Sequence, residues 1–162
     1  MAFRLNQQVE DWFKHILKKD GPLQTKFDMY YLCLMLGMAI GKPGKLSDAP
    51  EFVNHFVGDY KPMQRIIIGL LLIVELQRLG TNLSDKRELQ NLMGQYIDPS
   101  NPANLSDAGF ARLNEYASGG FGYLAEQFPD KPHHIEDFLQ FYLQKLQQAV
   151  AGNTAWKQIE SL

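Results

Sequence analysis

Two runs of the chain carry no charge at all, residues 29–40 (Met-Tyr-Tyr-Leu-Cys-Leu-Met-Leu-Gly-Met-Ala-Ile) and residues 66–74 (Ile-Ile-Ile-Gly-Leu-Leu-Leu-Ile-Val). Each has a glycine in its interior, Gly37 in the first and Gly69 in the second. The first run predicts a helix that begins near Leu23 to Lys26, ends at Ile40 before the breaker cluster Gly41-Lys42-Pro43-Gly44, and is covered on nearly every side. The second predicts a helix from Pro62 or Met63 to Leu79, with Gly80 as its stop. Its β-branched residues, Ile66, Ile67, Ile68, Ile73 and Val74, also suit a buried strand. Continuation through Glu75 to Leu79 keeps helical spacing, however, and makes the segment too long for an ordinary strand. Gly37 costs about 1 kcal/mol of helix propensity relative to alanine. Close approach of a second backbone would offset that cost, and Gly69 is its expected partner.

Around these two helices the polar and apolar positions predict a helical surround. Val9, Trp12, Phe13, Ile16 and Leu17 share one face of a helix over about 6–19, stopped by Asp20-Gly21-Pro22. Phe52, Val53, Phe56, Val57 and Tyr60 fall in a helical rhythm, with Ser47 or Asp48 as cap of a short helix starting near Pro50. A shorter helix is expected over 85–96, capped by Ser84 or Asp85, and then a turn-rich loop over 97–105. Ser106 or Asp107 caps the next helix, in which Ser118-Gly119-Gly120-Phe121-Gly122 is expected to bend the chain or to admit a tight helix crossing. The last helix runs from His134 or Ile135 to about Ala151, with Phe138, Leu139, Tyr142, Leu143 and Leu146 as its face. The expected fold is all-α, a compact bundle of five to six helices with two central apolar ones, in a single domain over 1–162.

Composition narrows the class more than the chemistry. Of the chain's 162 residues 45% are hydrophobic and 21% charged, the balance of a folded globule large enough for a real core. A formal net charge of −2 argues against coating nucleic acid by bulk electrostatics. The single cysteine, Cys33, sits inside the first apolar run, which excludes an intramolecular disulfide and suits a reducing compartment. The first residues lack a secretory layout, and both apolar runs fall well short of the roughly 20 residues a membrane-spanning helix needs. The expected location is cytoplasmic, with no membrane contact.

Candidate chemistry is sparse. His133, His134 and Asp137 are the nearest approach to a metal-ligand cluster, and they would carry a metal-dependent hydrolase. No third histidine or cysteine is near them in sequence, so they read first as polar residues at a helix start, where Glu136 and Asp137 suit the dipole. The glycines at 119–122 lack the preceding strand and the lysine of a phosphate-binding loop. Cys33, flanked by Leu32 and Leu34, reads as inert core rather than as a nucleophile paired with His15 or His55. No catalytic residue, cofactor or metal is assigned, and the chain is read as non-enzymatic. Lys14, Lys18, Lys42, Lys45 and Arg65 would contact phosphates if the fold gathers them, which makes a helical DNA-binding module the alternative. Trp12, Phe141 and Gln144 are the expected partner surface, since apolar patches on small proteins mark interfaces.

Residues 26–38 (Lys-Phe-Asp-Met-Tyr-Tyr-Leu-Cys-Leu-Met-Leu-Gly-Met), followed by 115–120 (Glu-Tyr-Ala-Ser-Gly-Gly), give the chain a resemblance to small helical accessory proteins of bacterial DNA sulfur-modification (Dnd) and related phage-defence systems. The resemblance covers two short blocks in the same order. It implies a cytosolic, non-catalytic accessory or adaptor subunit working with a larger ATPase or nuclease, with DNA contacted directly or through that partner. The DNA-contacting members of such systems look lysine-rich, whereas this chain is slightly acidic, which shifts weight to protein–protein work. Self-association into a homo-oligomer is compatible with everything above.

Overall fold

The computed structural model describes residues 2–46 and 49–160. Seven α-helices are formed among them: α1 Gln7–Phe13, α2 Lys26–Ile40, α3 Gln64–Arg78, α4 Lys86–Tyr96, α5 Asp107–Gln127, α6 Ile135–Ala151 and the short α7 Lys157–Glu160. Two small antiparallel pairs accompany them, β1 (Phe3–Arg4) with β2 (Glu51–Val53), and β3 (Ile97–Asp98) with β4 (Asn101–Leu105). The molecule is therefore mainly helical, as its periodicity indicates, but not strictly all-α.

Helix α2 is the axis of the structure, and its ends are written locally. Thr25 accepts a hydrogen bond from the Asp28 amide (3.1 Å), while the Asp28 carboxylate accepts from the amides of Thr25 and Gln24 (2.8 Å each), closing a capping box. At the other end Gly41 adopts φ +70° and returns its amide to the carbonyls of Gly37 and Met38. Between these caps the helix is buried on most of its circumference, from Phe27 to Ala39.

Its closest neighbour is α5 rather than α3. A methyl group built on Gly37 would lie 1.9 Å from the Tyr116 carbonyl oxygen, and one on Gly120 would lie 1.7 Å from the Cys33 carbonyl oxygen. Each helix thus places a carbonyl where the other lacks a side chain, the arrangement that lets backbones touch through Cα–H···O contacts. The following loop continues the contact. Gly44 donates its amide to Glu115 (2.8 Å), Ser118 donates its hydroxyl to the Lys45 carbonyl (2.7 Å), and Gly119 abuts the Lys42 carbonyl. Gly69, the partner expected from the sequence, meets open space. The expected close approach exists, with Gly120 in place of Gly69. The glycines at 119–122 do not break α5, which runs uninterrupted through them.

Three further expectations are corrected. Helix α1 ends at Phe13 instead of near Lys19, because the chain turns back so that the Lys18 amide bonds Leu23 and both Ile16 and Leu23 are buried. The helix expected from Pro50 is replaced by β2 and a 3-10 turn over Gly58–Met63; Ser47 and Asp48, its expected caps, lie outside the described residues. The cause is Phe3, fully buried, whose ring meets Phe27, Phe56 and Phe110 edge-on at 5.0 Å and Tyr30 at 5.2 Å. Seating it requires the extended N-terminus to pair with Glu51–Val53, and that tertiary gain outweighs local helical spacing. Asn114 of α5 fixes the same strand: it accepts from the Arg4 amide and the Tyr30 hydroxyl and donates to the Ala2 carbonyl. The loop after α4 is a short hairpin, β3–β4, closed by Asp98 accepting from Ser100. Elsewhere the expected boundaries agree closely with the structure, including the caps Asp85 and Ser106 and the span of α6.

The architecture makes three stability predictions. Gly37→Ala or Gly120→Ala will cost about 3 kcal/mol or more in denaturant unfolding, because the added carbon collides with backbone that cannot move aside. Gly69→Ala will be neutral or stabilising by up to about 1 kcal/mol. Asp28 is partly buried, which alone would raise its carboxyl; its bonds from Tyr60, Gln24 and Thr25 outweigh that and hold it below the usual carboxylate range. Its contribution is therefore complete above the ordinary carboxylate pKa and is lost as pH falls through the lowered folded value. Asp28→Asn will cost about 1 kcal/mol at pH 7, and the gap to the parent will close in acid titrations of stability.

Candidate functional site

Two places on the molecule have the make-up of a site, one polar and one apolar. The polar one is centred on Glu75, which lies in α3 between Val74 and Leu76 and is only 3% exposed. Its two carboxylate oxygens receive four donors. Oε1 accepts from the Tyr96 hydroxyl (2.8 Å) and Arg112 Nε (2.7 Å), and Oε2 from the Tyr116 hydroxyl (2.9 Å) and Arg78 Nη1 (2.9 Å). Arg112 reaches on to Glu115 at 2.9 Å. Burial, together with the Glu75 charge, pushes both tyrosine phenols upward, so they remain donors across the neutral range. The cluster borders a cleft of about 380 Å³ lined also by Glu88, Asn91 and Gln95.

Chemically this arrangement holds rather than reacts. A carboxylate has about four lone-pair directions, and here the four donors occupy both oxygens, leaving none aimed at a substrate proton. What the cluster does achieve is to join α3, the end of α4 and α5 through one buried anion. The sequence carried a signal for it, an acidic residue continuing an apolar run, but not the identity of its partners.

The apolar site is a groove floored by α2 and walled by α3 and α6. Met35 and Met38 form its floor, Leu70 one wall, Leu146 and Val150 the other, and Trp156 with Ile159 closes one end around a cavity of about 260 Å³. Met35, two residues from Gly37, lies on the side of α2 opposite the α5 contact, and Met38 about a quarter-turn from Gly37. Of the lining residues, Val150 is 41% exposed and Ile159 43%; on the same two helices Leu143, three residues before Leu146, is 53% exposed and Ile66, four before Leu70, 59%. Trp156 is anchored there by donating its indole N–H to the Ala39 carbonyl, beside Asn153, which donates to the same oxygen.

The residues singled out from the sequence fall as follows. Trp12 is not at a surface: it is 6% exposed and packs edge-on against Phe13, Phe121, Phe128 and Phe138. Phe141 is half-buried against Phe128 (4.1 Å between ring centres), with the Lys145 ammonium over its ring, and Gln144 is exposed. Both stand away from the groove, since Phe141 and Leu143, two residues apart, point to opposite sides of α6. Lys14, Lys18, Lys42, Lys45 and Arg65 are all exposed. Lys42 shares a cleft with Gln77 near the end of α3, and Arg65 lies twelve residues before Gln77 on that helix, about 18 Å along its axis. His133 stacks on His15 (4.4 Å, 29°) rather than turning towards Asp137, and among the described residues no three histidine, cysteine or acidic side chains converge as a metal would require. Burial pushes the Cys33 thiol far above its ordinary range. Among the described residues no helix is long and apolar enough to cross a membrane.

Removing the buried anion tests the role of the polar cluster. Glu75→Gln will destabilise the fold by about 3 kcal/mol, because two arginines lose their counter-charge, and Tyr116→Phe by about 1 kcal/mol; both are read by chemical denaturation. Compared with family models, with curated proteins and with solved structures, the chain matches none.

Proposed function

We propose that the protein is a non-catalytic accessory subunit that acts by docking its α3–α6 groove against another protein chain. The observation that carries this reading is the apolar cavity whose lining leaves Val150 and Ile159 exposed, with exposed Leu143 and Ile66 about one turn from its wall residues Leu146 and Leu70. Such a surface costs free energy while wet, at about 25 cal/mol per Å² of apolar area, and regains it when a partner covers it. Helix-in-groove recognition uses this geometry, with anchors at three- and four-residue spacing. Two methionines on the floor give it an adaptable lining.

The resemblance to accessory proteins of DNA sulfur-modification and phage-defence systems supplies the setting: an adaptor that positions a larger ATPase or nuclease subunit in the cytoplasm. Direct DNA contact is the second reading, and the separation of Arg65 from Lys42 weighs against it. An adaptor also needs a rigid body behind its surface, which the α2–α5 contact and the Glu75 cluster provide.

The reading is tested by affinity purification of the tagged protein from its native host, with mass spectrometry to name any co-purifying ATPase or nuclease subunit. Leu143→Asp, at an exposed position, will leave the circular-dichroism spectrum and melting temperature unchanged and reduce the bound partner at least about tenfold. Equal recovery with parent and variant would overturn the assignment of the groove.

A further inference from the structure

The Glu75 carboxylate is saturated within the chain, but one of the arginines that saturates it is not. Arg78 commits only Nη1 to Glu75 (2.9 Å). Its Nε–H and the parallel Nη2–H, on another edge of the guanidinium, have no hydrogen-bond partner among the described residues. With that pair an arginine takes a carboxylate through two parallel hydrogen bonds. The Arg78 side chain is 39% exposed, so water reaches it, while the buried Glu75 carboxylate holds the guanidinium in place.

The same cleft carries an unmet charge of the opposite sign. Glu88, in the first turn of α4, is half-buried, and its carboxylate has no partner among the described residues. Arg78 and Glu88 line one cleft of about 380 Å³ without forming an ion pair, so a gap separates the two charges. Asn91 and Gln95 follow Glu88 at three- and four-residue spacing and line the cleft as well, offering amides that both donate and accept. The four charged side chains of the lining are two arginines, Arg78 and Arg112, and two glutamates, Glu75 and Glu88. A simple anion or a simple cation would meet a charge of its own sign there, whereas a molecule with one charge at each end meets an opposite charge at both.

We propose that this cleft binds a small zwitterion, a carboxylate joined to an ammonium group by a short aliphatic chain. The ligand carboxylate lies on Nε and Nη2 of Arg78, the ammonium on Glu88, and the amides of Asn91 and Gln95 border the chain between them. Such a ligand bridges the last turn of α3 and the first turn of α4. The site is independent of the groove between α3 and α6. It gives the Glu75 cluster a further role, since a guanidinium already fixed by a buried carboxylate loses less freedom when a ligand arrives.

The test is isothermal titration calorimetry of the full chain with glycine, β-alanine, γ-aminobutyrate and ε-aminocaproate, a series that varies the distance between the two charges. The proposal expects saturable binding with a dissociation constant below about 1 mM for the member whose length matches the gap. Acetate and propylamine, each carrying one of the two charges, are expected to bind at least about tenfold more weakly. Glu88→Gln is expected to keep the circular-dichroism spectrum of the parent and to weaken the best zwitterion at least about tenfold, while leaving the weak binding of acetate unchanged. Arg78→Lys keeps the charge but loses the two-pronged edge, and is expected to weaken the zwitterion and acetate alike; should that variant unfold, Glu88→Gln still decides. No saturable binding by any member of the series up to about 10 mM, equal binding of acetate or propylamine, or an affinity indifferent to Glu88→Gln would each overturn the proposal.

Discussion

The contact between Gly37 and Gly120 sets the geometry of the molecule. Two helices meet there with carbonyl oxygens filling the space that side chains would take, so their separation is fixed by backbone and not by adjustable packing. Everything nearby inherits that spacing. Tyr116, whose carbonyl abuts Gly37, sends its hydroxyl to Glu75, and Asn114, one half-turn earlier, holds the N-terminal strand. The back of α2 is then left to α3 and α6, where Met38 is buried and Met35 half-buried. The groove is the side of the central helix that α5 does not cover.

The two candidate sites are opposite solutions to satisfying buried or half-buried groups. Around Glu75 every demand is met inside the chain, with two arginines and two tyrosines on one carboxylate. That is how a rigid body is made, and it leaves little free for chemistry. Around Leu143 and Val150 apolar side chains stay exposed to solvent. The contrast supports reading the molecule as an object that binds. An internally satisfied polar node keeps the helices in place so that an unsatisfied apolar face keeps its shape.

Much of this was legible in the residues, and the failures have physical causes. Local signals read well: the two apolar helices, the stops at Gly41 and Gly80, the caps at Asp85 and Ser106, and the start of α6 after Pro132 are decided within a few residues. That Gly37 marks a close approach was also legible, but a single chain does not say which of several glycines answers it, and Gly120 is far away in sequence. Residues 51–57 kept a helical spacing that a distant ring, Phe3, overrode. Glu75 was visible as an acid at the edge of an apolar run, without its four donors. On α6 the aromatic residue drew attention to Phe141, yet the uncovered line is aliphatic and lies on the opposite side. Trp12 was misplaced for the related reason that a large aromatic near a chain end suits either a surface or a core.

Native-state hydrogen exchange tests the central claim most directly. If the α2–α5 contact is the hub, amides of residues 33–41 and 116–124 will exchange only through global unfolding, with the largest protection in the chain, while those of β3–β4 and α7 open locally at far lower free energy. Exchange of the α2 and α5 amides at rates comparable to the hairpin, with the strongest protection located elsewhere, would contradict it.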